Sequence, residues 1–141
     1  MPSSDQNGPR RTLLLTGASR GIGHAAAKRF SAAGWRVITC SRNAFPENCP
    51  WEAGPEDHIQ VDLSNPDNTE EAIAEIKNRL PDGHLHALVN NAAISPKASG
   101  GARLSAIATE FKPWQHVFQV NFFAPIMLAR GLMNQLKAAQ G

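Results

Sequence analysis

The chain has 141 residues, 42% of them hydrophobic and 18% charged, with a formal net charge of +2. That composition suits one globular domain with a core and excludes a disordered chain, and so small and scattered a positive charge argues against a nucleic-acid or membrane partner. Cys40 and Cys49 form no Cys-x-x-Cys pair, no apolar stretch reaches membrane-spanning length, and the start MPSSDQNGPRR lacks the hydrophobic segment of a secretory signal, so reduced cysteines in a cytoplasmic protein are expected.

Residues 1–11 read as a flexible lead-in to a single domain over 12–141. The segment TLLLTGASRGIG, residues 12–23, runs from an apolar strand through a glycine turn into an amphipathic helix. Leu13, Leu14 and Leu15 suit a strand buried on both faces, as at the centre of a parallel sheet. Gly17, Gly21 and Gly23 allow a tight turn and a close backbone approach to a pyrophosphate, whose charge would sit at the unpaired N–H groups of the helix opening near Ile22. Thr16 and Ser19 are expected to add hydroxyl donors.

Further apolar runs follow at Val37–Cys40, Ile59–Leu63 and Ala87–Val89, alternating with helical or loop segments. That is the pattern of βαβ units, so the expected fold is α/β, a Rossmann-like doubly wound parallel sheet of about four strands. The first helix is predicted over Ile22–Ala33, with Ile22, Ala25, Ala26 and Phe30 toward the sheet and Gly34 as its cap. Four-fold punctuation by Pro46, Pro50, Gly54 and Pro55 predicts a loop over residues 43–57. A second amphipathic helix is predicted over Asp67–Leu80, with Ala72, Ile73, Ile76 and Leu80 inward. Residues 94–112, with Gly100 and Gly101, read as a long mobile loop before a helix from about Trp114 to Gln140. Its apolar stripe is Val117, Phe118, Phe122, Ile126, Leu128, Leu132 and Leu136.

Three features bear on ligand chemistry. A dinucleotide with a free ribose 2′-hydroxyl is met by an acid at the end of the second strand, whereas a 2′-phosphate wants guanidinium donors. The chain has Ser41 and Arg42 at that place and Arg20 in the glycine turn, which predicts NADP(H) over NAD(H). Asp62 is an acid at the C-terminal end of a buried strand, where open α/β sheets bind ligands, though such an acid also caps loops through its own side chain. Pro125 has no N–H, so the carbonyl of Asn121 loses its usual helical donor and is free for a water, or the proline simply kinks a packing helix. Among the histidines, His84 and His86 have no nearby third ligand, and no metal site is expected.

The wording TGASRGIG, with glycines spaced Gly-x-x-x-Gly-x-Gly, resembles the single-domain branch of the short-chain dehydrogenase/reductase family. Three further segments agree in order: Val61-Asp62-Leu63, NNAA at Asn90–Ala93, and Asn121 in VNFFAPIMLAR. The resemblance implies a carbonyl/alcohol oxidoreductase working by hydride transfer on a small-molecule substrate. It implies cofactor contacts from Thr16, Gly17, Ser19, Arg20, Gly21, Ile22, Gly23, Ser41, Arg42, Asp62, Leu63, Asn90 and Ala92, with Asp62 at the adenine amino group and Asn90 tying neighbouring strands. Asn121 corresponds to the Asn of an Asn-Ser-Tyr-Lys catalytic set, its carbonyl holding a water in the proton relay, and the long helix to a dimer contact that implies a homo-oligomer once the fold is completed. Ala93 stands where the family has glycine. The chain has no tyrosine, and Gly141 falls where the family would enter its fifth strand, so the 141 residues read as an N-terminal, cofactor-binding portion, inactive alone. The alternative is a non-catalytic nucleotide-binding or interaction module completed by a partner chain, because Ala87–Val89 would otherwise form an unprotected sheet edge.

Overall fold

The computed structural model describes residues 8–141. Four parallel strands, β1 (Thr12–Thr16), β2 (Arg36–Ser41), β3 (His58–Gln60) and β4 (Ala87–Val89), form one sheet in the order β3-β2-β1-β4. Every residue of β1 is buried, which is why its sequence lacks the polar alternation of a half-exposed strand. The pleat divides the core. Leu14, Ile38, Cys40 and Ile59 face a layer containing Ile73, Ile76, Leu128 and Leu132, while Leu13, Leu15 and Val37 face Ala27, with Ala26 and Phe30 alongside. Helices therefore cover both faces, as the α/β reading predicts.

Strand order reverses at β1: the chain steps outward to β2 and β3, then crosses back to place β4 on the other side. In open sheets of this type the crevice beyond the strand ends at that reversal is where ligands bind. The far edge of β4 pairs with no strand among the described residues.

Helix α1 (Gly21–Ala32) buries Gly23 and Ala27 rather than the expected Ile22 and Ala25. Ile22 is 83% exposed, because the first turn of α1 projects past the sheet and its apolar residue lines the cleft instead. The expected cap holds: Gly34 has φ of +83°, and the Trp35 N–H reaches back to the Phe30 carbonyl at 3.1 Å. Residues 43–57 are loop except for a single 3-10 turn at Pro55–Asp57. Helix α2 (Pro66–Asn78) starts one residue earlier than predicted, with Asn65 as N-cap accepting from the Asn68 N–H at 3.1 Å. It stops two residues short of Leu80, which is nevertheless buried.

The predicted long helix is four pieces. Helix α3 (Phe111–Phe118) leads into a π turn (Gln119–Phe123), then α4 (Ala124–Gly131) and, after a break at Leu132, α5 (Met133–Ala139). It begins three residues before Trp114 because Pro113 lies in the first turn, where a missing N–H costs nothing. Its inward line is Val120, Ala124, Leu128 and Leu132, whereas Phe118, Phe122 and Ile126 of the predicted stripe are exposed. The loop of residues 94–110 is partly organised, with a 3-10 turn at Ser99–Gly101 and a bridge between Lys97 and Arg103. Residues 1–7 of the predicted lead-in lie outside the described residues, while Arg10 and Arg11 are held: Arg10 donates to the carbonyls of Gly34 and Trp35, and the Arg11 carbonyl accepts from the Arg36 N–H.

Candidate nucleotide site

At the reversal of strand order lies a cleft of about 700 Å³, lined by the glycine turn, the end of β2, the segment after β3 and residues 91–94. Its floor is a hydrogen-bonded junction between β1 and β4. The Thr16 hydroxyl accepts from the N–H groups of Asn91 and Ala92 at 3.1 and 3.0 Å, and the Asn91 amide donates to the carbonyls of Thr16 and Gly17 at 3.2 and 3.0 Å. Thr16 is 1% exposed, so its hydroxyl braces the floor and does not offer the donor expected of it. The strand tie assigned to Asn90 belongs to Asn91: Asn90 is exposed and does not line the cleft, and its neighbour makes the bonds.

The glycines divide their work. Gly17 has φ of +74°, and a Cβ there would lie 2.8 Å from the Ala92 backbone; a Cβ on Gly23 would collide with the Gly17 carbonyl and the Asn91 amide. Both keep the turn packed on β4. Gly21, at φ of +61°, has open space where its Cβ would be, so this residue is the one that leaves backbone bare toward the cleft. Arg20, the N-cap of α1, makes no capping bond and no acid stands in the first turn, in contrast to the capped start of α2. The first N–H groups of α1 thus face the cleft without a protein acceptor, an arrangement suited to a phosphate.

Ser19, Arg20, Ser41, Arg42 and Asn43 line the adjoining wall, and both arginines are exposed. The acid lining the cleft among the described residues is Asp62, which belongs to the β3 side and not to the end of β2. Its Oδ1 accepts from the Ser64 N–H at 2.9 Å and the Ser64 hydroxyl at 2.7 Å, and these bonds, with Arg42 and His116 nearby, hold its pKa below the ordinary carboxylate value. The loop-capping and ligand-facing readings of Asp62 therefore coexist in one side chain. Leu63, Ala92 and Ala93 also line the cleft, and Ala93 is not in the left-handed region, so its methyl group adds no backbone strain.

Asn121 sits in the π turn, where the Ala124 N–H bonds to the Gln119 carbonyl five residues back. Its side chain lies against residue 94: Oδ1 accepts from the Ile94 N–H at 2.8 Å and Nδ2 donates to the Ile94 carbonyl at 2.9 Å. His116 and Val120, four apart on the helical face that meets the cleft, also line it; no motif marks them, and their helical spacing is the one signal the sequence carries. Cys40 is buried in β2, and desolvation pushes its thiol up to about 12, which fits a packing role. No group of three or more His, Cys, Asp or Glu residues able to hold a metal occurs among the described residues, and no helix among them is long and apolar enough to cross a membrane.

A doubly wound parallel sheet with an uncapped helix and a glycine turn at its switch point defines a Rossmann-like α/β domain. The chain belongs to the short chain dehydrogenase family, whose model matches residues 11–141. It is 54% identical over 135 residues to Protein FixR of Bradyrhizobium diazoefficiens, covering 95% of this chain and 49% of that one, and 36% identical to serine 3-dehydrogenase of Agrobacterium fabrum, covering 92% and 50%. The chain thus spans about half the length of these relatives. Among solved structures it resembles a Brucella ovis oxidoreductase of the same family in complex with a partially ordered NAD, at 68% identity and a TM-score of 0.91, over 94% of this chain and 60% of that one.

Proposed function

We propose that these residues are the cofactor-binding portion of an NADP(H)-dependent oxidoreductase that interconverts a carbonyl and an alcohol by hydride transfer, and that the 141-residue polypeptide does not turn over by itself. The observation that carries the nucleotide preference is the pairing of Arg20 and Arg42 on one wall of the cleft with no carboxylate at the end of β2. A 2′-phosphate would meet two guanidinium groups there, whereas a free 2′-hydroxyl would find no carboxylate at the end of β2 to accept its hydrogen bond. Gly21 and the first turn of α1 would hold the pyrophosphate, and Asp62, Leu63, His116 and Val120 would border the adenine end. The bound nicotinamide would supply the hydride. Of the catalytic set that the family resemblance implies, this sequence offers Asn121, and it contains no tyrosine to serve as acid and base. The free cysteines Cys40 and Cys49 are in keeping with a cytoplasmic setting.

The Brucella relative holds NAD, which makes the preference the first quantity to measure. Binding of NADPH and NADH to the 141-residue chain, followed by calorimetry, should favour NADPH by about tenfold, or roughly 1.4 kcal/mol. Arg42→Asp should reverse the order. Equal affinities in the unaltered chain would overturn the NADP(H) reading, and NADPH-dependent reduction by purified chain free of contaminating reductase would overturn the inactivity reading.

A second reading, a non-catalytic module completed by a partner chain or a second copy, is favoured by the unpaired edge of β4 among the described residues and by an exposed aromatic row of Trp114, Phe118 and Phe122. Sedimentation distinguishes the two. A discrete species that binds nucleotide, monomer or defined oligomer, speaks for the module, and open-ended aggregation speaks for a portion whose edge the rest of a longer chain covers.

A further inference from the structure

We propose that β3 tunes the nucleotide preference of the cleft without touching the nucleotide, through His58 and Gln60, which hold the Arg42–Asn43 turn by its two carbonyls. This rests on the NADP(H) reading above. Neither residue lines the main cleft, and neither was singled out by the sequence.

The geometry follows from register. Thr39 pairs with His58 and Ser41 with Gln60, so all four side chains leave the same face of adjacent parallel strands. The turn after β2 folds over that face. Gln60 Nε2 donates to the Arg42 carbonyl at 2.8 Å. The Asn43 carbonyl lies 2.8 Å from His58 Nε2 and also accepts from the Ser41 hydroxyl at 3.1 Å. A carbonyl only accepts, so Nε2 carries the ring proton, and Nδ1 accepts from the Thr39 hydroxyl at 2.9 Å. Thr39 and His58 are buried, and the imidazole packs against Phe45 with ring centroids 6.1 Å apart. The ring is thus fixed at both nitrogens.

Two consecutive carbonyls held in this way fix the two peptide planes that follow Arg42 and Asn43, and so restrict the direction in which Arg42 leaves the backbone. The Arg42 guanidinium makes no hydrogen bond among the described residues and is exposed, with the Asp62 carboxylate as the opposite charge that acts on it, so the held turn is what fixes the point from which it reaches into the cleft. A guanidinium on an unheld turn would lose conformational freedom when it met a phosphate. One on a held turn has surrendered part of that freedom on folding. The benefit falls on a 2′-phosphate and not on the rest of the nucleotide, so His58 and Gln60 are positioning residues for specificity.

The test uses the 141-residue chain with two probes that differ only by the 2′-phosphate, adenosine 2′,5′-bisphosphate and 5′-AMP, with affinities from calorimetry and folding checked by thermal melting. Gln60→Ala, at an exposed position, should lower the preference for the bisphosphate by about fivefold, as expected for one net hydrogen bond, with 5′-AMP affinity changed by less than about twofold. His58→Phe should lower it further, and His58→Gln, which keeps an amide donor, should restore part of it. If the variants melt at lower temperature but keep the wild-type preference, the residues only pack the loop and the proposal is overturned. Should His58→Phe fail to fold, Gln60→Ala decides alone. A wild-type chain with no preference between the probes would overturn the NADP(H) reading and this proposal together, whereas a preference untouched by Gln60→Ala and His58→Gln would overturn this proposal and leave that reading standing.

Discussion

Asn121 and Ile94 are joined by two hydrogen bonds, the asparagine amide accepting from the Ile94 N–H at 2.8 Å and donating to its carbonyl at 2.9 Å. The pair joins the π turn to the segment leaving β4, so one side chain fixes the start of the 94–110 loop against the helix beside the cleft. Asn121→Ala removes both bonds at a site open to water, where replacement by solvent limits the loss to about 1–2 kcal/mol. The expected local effect is larger than the global one: amide exchange at Ile94 should accelerate by tenfold or more, on the order of that energy, while amides of β1 respond only to the change in global stability. Unchanged protection at Ile94 would show that the loop is held by other contacts.

Thr16 braces the floor of the cleft with one oxygen. Thr16→Val keeps its shape but leaves the Ala92 N–H without its acceptor, while the Asn91 N–H keeps the Val89 carbonyl at 3.1 Å. At about 1–3 kcal/mol for a buried donor left unsatisfied, the substitution should lower unfolding free energy in urea by roughly that amount. Thr16→Ser keeps the hydroxyl and should cost less than about 1.5 kcal/mol for one lost methyl group in a buried strand. The contrast between the two substitutions isolates the hydroxyl.

Gly21 and Gly23 stand two residues apart and should respond differently to the same added methyl group. Gly21→Ala meets empty space but must hold φ of +61°, which costs about 1–2 kcal/mol. Gly23→Ala meets the Gly17 carbonyl, which is backbone and cannot swing aside as a side chain could, so the turn itself must move. The prediction is that Gly21→Ala lowers the melting temperature modestly and weakens nucleotide binding through the methyl group facing the cleft. Gly23→Ala should abolish binding and destabilise by about 3 kcal/mol, within the range for overpacking. Calorimetric binding together with thermal melting of the two variants checks both.

Much of this architecture is legible in the sequence, and the parts that are not share a cause. Leu13–Leu15, the capping Gly34 and the proline-rich loop after β2 carry local signals, burial on both faces, a left-handed cap and missing N–H groups, and local signals survive folding. The choice between Asn90 and Asn91 does not, because a one-residue step along a strand exchanges its faces and two adjacent asparagines give no hint which one points to β1. Ile22 fits the apolar stripe of α1 by period, yet the period cannot tell where the sheet ends and the cleft begins. The break at Leu132 adjoins Gly131, where a Cβ would lie 2.7 Å from Ile73, so the helix closes on α2 through a contact between segments far apart in the chain. The hold of His58 and Gln60 on the turn after β2 depends on strand register in the same way.

Asp62 supplies the pH dependence. Its hydrogen bonds from Ser64 stabilise the carboxylate in the folded chain, so its folded pKa lies below the unfolded value near 3.8. A group shifted in this direction contributes stability above the unfolded pKa and loses that contribution as pH falls through the folded one. Urea unfolding of the unaltered chain should therefore show an acid limb beginning near pH 4 and deepening below it, part of which disappears in Asp62→Asn. Ser64→Ala removes the hydroxyl bond and keeps the backbone one, so its Asp62 should titrate at a higher pH than in the unaltered chain, and carboxyl-carbon NMR reads that shift directly. Because Asp62 is exposed and faces the cleft, its protonation should also weaken binding of a nucleotide whose adenine amino group it accepts from. Affinity for 5′-AMP should fall across the same acid window more steeply in the unaltered chain than in Asp62→Asn, the fall common to both belonging to the adenine ring of the probe, which itself protonates there. Equal falls in both would show that the Asp62 carboxylate does not contribute to binding of the base.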